Sequence, residues 1–177
     1  MEMLVTVAVI LVLIGVLAMT GKKIRQRSEV ELTRSILEVL DSAMEVYYDR
    51  YHEFVPMVSG EAGFDALIPG GTTITQGTFP AGDWDNAALY YFLSADPQSR
   101  AVLNSLVSRM ITNQDASGLD LMIQIPTGSQ AVSWIRVLDA WKTPLDYEYN
   151  AASDTFPTLR SAGPDKVMHT EDDVTNL

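Results

Sequence analysis

From Met3 to Met19 the chain is a near-unbroken apolar run, interrupted only by Thr6 and Gly15. A bilayer span takes about 20 apolar residues, so the stretch 3–20 is just long enough for a tilted or slightly thinned membrane. A cleaved signal peptide is the competing reading. It calls for a basic stretch before the run and an Ala-x-Ala-like site after it, and neither is present. Instead the sequence continues without proline as far as Pro56. Ile36, Leu37, Leu40, Met44, Tyr47 and Tyr51 recur at spacings of three and four, the repeat of one helix face. Arg27 with Glu31 and Arg34 with Glu38 are i,i+4 pairs suited to the solvated side. The pattern predicts one helix from near the start to about Phe54, roughly 80 Å long at 1.5 Å per residue. Its apolar half (1–21) needs lipid or other copies of itself. Its amphipathic half (22–55) needs a domain to cover one stripe.

The remainder has the composition of an ordinary folded domain. A formal net charge of -11 argues against a phosphate-backbone partner, which requires clustered Lys and Arg. The basic residues that do cluster, Lys22, Lys23, Arg25 and Arg27, follow the apolar run, where lipid headgroups would lie. Cysteine is absent, which rules out disulfides, Cys-ligated zinc and thiol catalysis.

Glu2 is the most informative single residue. A carboxylate at the edge of a hydrocarbon segment either sits in interfacial water or has a specific partner. Glu2-Met3-Leu4-Val5 followed by Thr6-Val7-Ala8-Val9-Ile10 resembles the start of type IV pilins and type II secretion pseudopilins. The last third resembles the major pseudopilin in particular. Asp139-Ala140-Trp141-Lys142-Thr143-Pro144 is similar to its Asp-x-Trp-x-x-Pro turn. Ser161-Ala162-Gly163-Pro164-Asp165 with Glu171-Asp172-Asp173 is similar to its calcium loop. The likeness covers roughly residues 2–55 and 138–175.

This resemblance implies a subunit that polymerises through its N-terminal helix, with Glu2 pairing with the amino terminus of a neighbouring copy. It also implies calcium held by the Ala162 carbonyl, Asp165, Asp172 and Asp173, with Glu171 toward solvent. The implied partners are further copies, other pseudopilins, the inner-membrane secretion machinery and a prepilin peptidase. The implied location is the bacterial inner membrane, crossed once, with the C-terminal domain in the periplasm. The chain departs from the family in lacking the basic leader, its Gly and the Phe-Thr-Leu before Glu2. A start codon assigned too late, with Met1 standing for a GTG valine, would account for this, and in-frame Gly-Phe-Thr-Leu codons upstream are expected. A basic leader would also balance Lys22 to Arg27, which otherwise violate the positive-inside rule. Thr20-Gly21 stands where the family has a proline.

Residues 56–82 are rich in Gly, Pro and Thr and predict a long surface loop. Asp83 is placed to cap a short helix through Phe92. Ser94 or Asp96, followed by Pro97, opens a second helix to about Ile111, with Ala101, Leu103, Leu106, Val107 and Met110 on its apolar side. Together 56–118 form an insertion relative to the family. The aromatics Trp84, Tyr90, Tyr91 and Phe92 suit either a core or a binding platform.

Leu119, Leu121, Ile123 and Ile125 alternate with polar or flexible residues, as a half-buried strand does. Pro126-Thr127-Gly128-Ser129 is a turn signal, and Val132–Val137 reads as a second strand. Leu145, Tyr147 and Tyr149 alternate with Asp146 and Glu148 in a third, and Phe156 to Arg160 make a fourth. The fold class expected is α+β: the long helix packed on a small antiparallel sheet (119–177), with a helical insertion and a metal-ordered loop. The loop is not an EF-hand, which needs Asp-x-Asp-x-Asp-Gly. The parts of an active site are missing. His52 is expected on the long helix and His169 solvated in the loop, with no Ser-His-Asp order or phosphate loop. The function expected is a structural subunit of a type II secretion pseudopilus. The alternatives are a type IV pilus subunit or minor pseudopilin, and a monomeric membrane-tethered binding module.

Overall fold

The computed structural model describes residues 2–58, 60–68, 71–77, 83–115, 117–125 and 131–177; along the first helix, side chains are described at Val7 and from Lys23 onward. The apolar run, Glu2 and the turn 126–129 are expectations that fall on side chains or residues outside this set. Helix α1 spans Glu2–Tyr51. Thr33, Ile36, Leu37, Leu40, Ala43 and Met44 are buried along one stripe, in the steps of three and four that put residues on one face. Each fully buried Leu or Met there contributes about 2 kcal/mol. The expected charge pairs are replaced by Arg25–Glu29 at 2.8 Å and Arg34–Glu31 at 3.6 Å, neither well enough buried to weigh much.

α1 stops short of Phe54 because His52 adopts a left-handed backbone (φ 56°), while its N–H donates to the Tyr48 carbonyl at 2.7 Å. His52 is therefore a helix terminator and not a helix residue. The reversal turns Phe54 and Val55 inward and leaves Tyr51 exposed. Phe54 then meets Tyr48, Phe156 and Tyr149 at ring-centroid distances of 4.6, 5.1 and 5.3 Å.

No helix among the described residues is long and apolar enough to cross a membrane. This overturns the expected single-pass placement in a bacterial inner membrane with a periplasmic C-terminal domain. From Lys23 on, charged side chains interrupt α1 every few positions, and a span requires about 20 apolar residues in succession.

The segment expected to be a surface loop folds. Helix α2 (Glu61–Leu67) and strand β1 (Thr73–Gln76) occupy it, with Val58 and Phe64 buried. A Cβ on Gly63 would collide with the Val58 carbonyl, so the glycine marks a close backbone approach and not flexibility. Helix α3 (Asp83–Ala95) follows, then α4 (Pro97–Leu103). Asp96 caps α4, accepting from Gln98 and Ser99 N–H at 3.0 and 2.9 Å, and its other oxygen pairs with Arg50 of α1. α4 ends at Leu103 and not near Ile111. A 3-10 turn at Ser108–Met110 leads into strand β2 (Ile111–Thr112), so Ala101 and Val107 are exposed while Leu103 and Met110 are buried.

The predicted strand from Leu119 is shorter. Asp115 accepts from Ser117 and Leu119 N–H at 2.8 and 2.9 Å, which makes a turn there and leaves Leu119 exposed. β3 (Met122–Gln124) pairs with both β1 and β4 (Ala131–Ser133). The predicted strand 132–137 breaks at the fully buried Trp134, and β5 (Arg136–Val137) joins β2 in a second sheet. β6 (Asp146–Glu148), β7 (Thr158–Ser161) and β8 (Val174–Thr175) form a third antiparallel sheet in that order. The α+β class thus holds, with three small sheets among the described residues in place of one.

α3 separates two cores. Leu89 and Leu93 join α1, Tyr147 and Leu159 in one, while Ala87 and Ala88 join Phe64, Leu121, Ile123 and Trp134 in the other. Buried Asn86 bridges the layers: its amide donates to the Val137 and Leu145 carbonyls at 2.9 and 2.7 Å, and its oxygen accepts from Val137 N–H at 2.8 Å.

Candidate functional site

The turn 139–144 is organised by one carboxylate. Asp139 is fully buried; one oxygen accepts from Trp141 and Thr143 N–H at 2.9 and 2.8 Å, and the other from the Ser161 hydroxyl at 2.7 Å. Burial pushes the Asp139 carboxyl above its ordinary range, against the hydrogen bond from Ser161, which pulls it back. Lys142 closes the turn in the left-handed region (φ 68°). The turn is fastened to α1 through Ala140 N–H, which donates to Thr33 Oγ1 at 3.2 Å, while Thr33 donates to the Glu29 carbonyl at 3.0 Å.

The same network enters the C-terminal loop. Ser161 Oγ accepts from Gly163 N–H at 3.2 Å. Gly163 has φ 63°, and a Cβ there would strike the Asp172 carbonyl, so the two arms of the loop touch at this point. Ala162 is fully buried beside it, and Glu171 is exposed, as expected. Asp172 accepts from Thr170 Oγ1 at 2.7 Å and from Asp165 N–H at 3.2 Å. The Thr170 hydroxyl chiefly holds its carboxyl below the ordinary range. Asp165 accepts from Val167 N–H at 2.8 Å. Asp173 accepts from His169 N–H at 2.8 Å and lies 3.4 Å from Arg160.

These acids accept hydrogen bonds from the loop's own amides and from the Thr170 hydroxyl. Asn176 completes the closure, donating to Asp41 on α1 at 2.7 Å and accepting from Leu159 N–H at 2.9 Å. Nothing in the sequence singles out Asn176 and Asp41, whose bond joins residues 135 apart, and Ser161 shows there only as part of the loop motif, not as the partner of Asp139.

A metal needs its ligand atoms gathered around one point. Calcium–oxygen distances of about 2.3–2.6 Å keep even opposed ligands within about 5 Å of each other. Among the described residues, the one set of three acid or imidazole side chains with ligand atoms all within 4.8 Å of one another is Asp146, Glu148 and His169. Asp165, Asp172 and Asp173 do not form such a set; the loop brings them near one another but spends them on separate amides. Strand alternation was the signal available in the sequence: Asp146 and Glu148 flank Tyr147 and must share a face. His169 is exposed, as expected, but the loop carries it to that face.

The aromatic cluster is core. Phe64 and Trp134 meet edge to face at 4.6 Å, with Tyr91 and Trp84 at 6.0 and 5.9 Å from Trp134. Compared with protein-family models, with curated proteins and with solved structures, the chain matches none.

Proposed function

We propose that this chain is the structural subunit of a filament that supports protein export, copies packing through α1 while the α+β body decorates the assembly. A type II secretion pseudopilus is the nearest class and a type IV pilus the next. The observation that carries this reading is the division of α1 itself. Among its described side chains, the helix is covered by the rest of the chain from Glu29 onward and exposed at residues 23–28, and its backbone continues back to Glu2. The helix before Glu29 is about 40 Å long at 1.5 Å per residue, and its described side chains, Val7 and residues 23–28, are exposed. Glu2, at its tip, is the group proposed to pair with a neighbour's amino terminus, each charge neutralising the other where water is scarce.

Cysteine scanning tests it directly, since the chain has no cysteine of its own. Val7→Cys is expected to crosslink into a ladder of dimers, trimers and higher species, and Glu2→Ala to shorten that ladder. Monomers alone, in the presence of the export machinery, would sink the reading in favour of a monomeric binding module.

Calcium on the loop belongs to the same proposal, with Ala162 offering its carbonyl and Asp165, Asp172 and Asp173 their carboxylates. Asp165 keeps its second oxygen free of the Val167 amide, and Asp173 its first oxygen free of Arg160, for such an ion. The loop's acid-rich composition supports the reading and its hydrogen-bonded geometry opposes it. A chelator that leaves the melting temperature unchanged removes calcium from the proposal without touching the filament.

A further inference from the structure

The third sheet presents a second acidic face. Asp146 and Glu148 lie two residues apart on β6, so both side chains stand on the side opposite buried Tyr147. Asp146 is paired in register with Arg160 on β7, which puts the guanidinium on the same face. His169 arrives from the loop, 21 residues beyond Glu148 in sequence (169 minus 148). Its backbone N–H is held by Asp173, and its ligating nitrogen lies within 4.8 Å of the two carboxylates.

We propose that Asp146, Glu148 and His169 bind a divalent transition ion of the zinc type, at a site separate from the loop carboxylates. The donor set decides the class. Two carboxylate oxygens and one imidazole nitrogen are a three-ligand tetrahedral site with one position left for water. Calcium, which takes six to eight oxygens, finds too few here. Charge also fits. Two carboxylates and a neutral imidazole carry -2, which a dication cancels, and the nearby Asp85 adds to the negative field acting on Asp146. The opposing cation, Arg160, lies 3.9 Å from Glu148 and 3.4 Å from Asp173. An ion on Glu148 therefore displaces the longer contact and leaves the shorter one in place.

The test uses the full chain, stripped with chelator and titrated with Zn2+ by calorimetry and with Co2+ by visible absorption. One ion per chain is expected, with the visible bands of a low-coordinate cobalt site. His169→Ala and Glu148→Gln should each weaken binding by at least about tenfold. His169→Asn, which accepts the left-handed backbone at this position (φ 66°), guards against a misfolded loop. Asp165→Asn should bind as the wild type does. An absence of binding to the wild-type chain, or unchanged affinity in both His169 variants, overturns the proposal. So does affinity that falls with Asp165→Asn instead.

Discussion

The two ends of the body reach order by different means. Around Phe64 and Trp134, Val58, Ala87, Ala88, Leu121, Ile123 and Ile125 close into an apolar core whose centre is aromatic. Between Asp139 and Asn176 the chain is held by short polar side chains that bond nearby amides and, through Asp139–Ser161 and Asn176–Asp41, segments far away in sequence. An apolar core tolerates changes that preserve volume, because its attraction is not directional. A hydrogen-bonded hub loses most when one acceptor vanishes, because the orphaned donors stay buried. The lesson is that density of Gly, Pro and Thr is no measure of order: both regions are rich in them, and both are folded.

The strongest blow to the aromatic side is Phe64→Ala, which should lower stability by about 4 kcal/mol, read from urea denaturation. Hydrogen exchange should quicken in α2 and β1 and stay slow in β7. Quickening that spreads equally to both would merge the two regions into one cooperative unit.

On the polar side, Asp139→Ala orphans Trp141 N–H, Thr143 N–H and the Ser161 hydroxyl. At about 1–3 kcal/mol for a buried orphan, a loss of about 3 kcal/mol is expected after partial relaxation. Asp139→Asn keeps an acceptor for the two amides and should cost less than half as much. Equal losses in the two variants would mean that the charge, and not the acceptor, is what the turn requires.

Gly163→Ala combines a left-handed backbone with a collision against the Asp172 carbonyl. It should cost about 2 kcal/mol and open the loop to limited proteolysis between Pro164 and Glu171. A clean melt with no new cleavage would show that the loop's arms separate freely.

The smallest effect is also the sharpest discriminator. Ser99 N–H, first among its partners, holds Asp96 below the ordinary carboxylate range, whereas burial raises Asp139 above it. The Asp96 contribution is therefore present above the unfolded pKa of about 3.9 and lost as pH falls through the lower folded value. The Asp139 contribution has the opposite sign, being fullest below about 3.9 and declining as pH rises through its raised folded value. Melting curves should show Asp96→Asn approaching wild type in acid, and Asp139→Asn approaching or passing it as pH rises. Parallel profiles would erase the distinction.

Much of this was legible along the chain. The steps of three and four from Ile36 to Met44 marked the packed face of α1, and Asp96-Pro97 marked the start of α4. Asp139 with Thr143 in a tight turn was visible as a motif, though not its reach to Ser161. The reading failed where a partner was remote. Nothing near Trp134 says that it ends one strand pairing and begins another, since the reason is Phe64, seventy residues earlier. Nothing near His169 says that it faces Asp146, and the spacing of Asp165, Asp172 and Asp173 does not reveal which amides and hydroxyl each accepts from.

By itself the amino-acid sequence determined the period of α1, the Asp96-Pro97 start of α4, and the alternation that puts Asp146 and Glu148 on one side of a strand. These are local, because helix and strand periods follow from backbone geometry within a few residues. Tertiary structure alone decided which strands share a sheet, that Asp139 reaches Ser161, and that Asp146 and Glu148 meet His169. Those outcomes rest on packing between segments far apart in the chain, where a buried Trp or a single accepting carboxylate outweighs local preference.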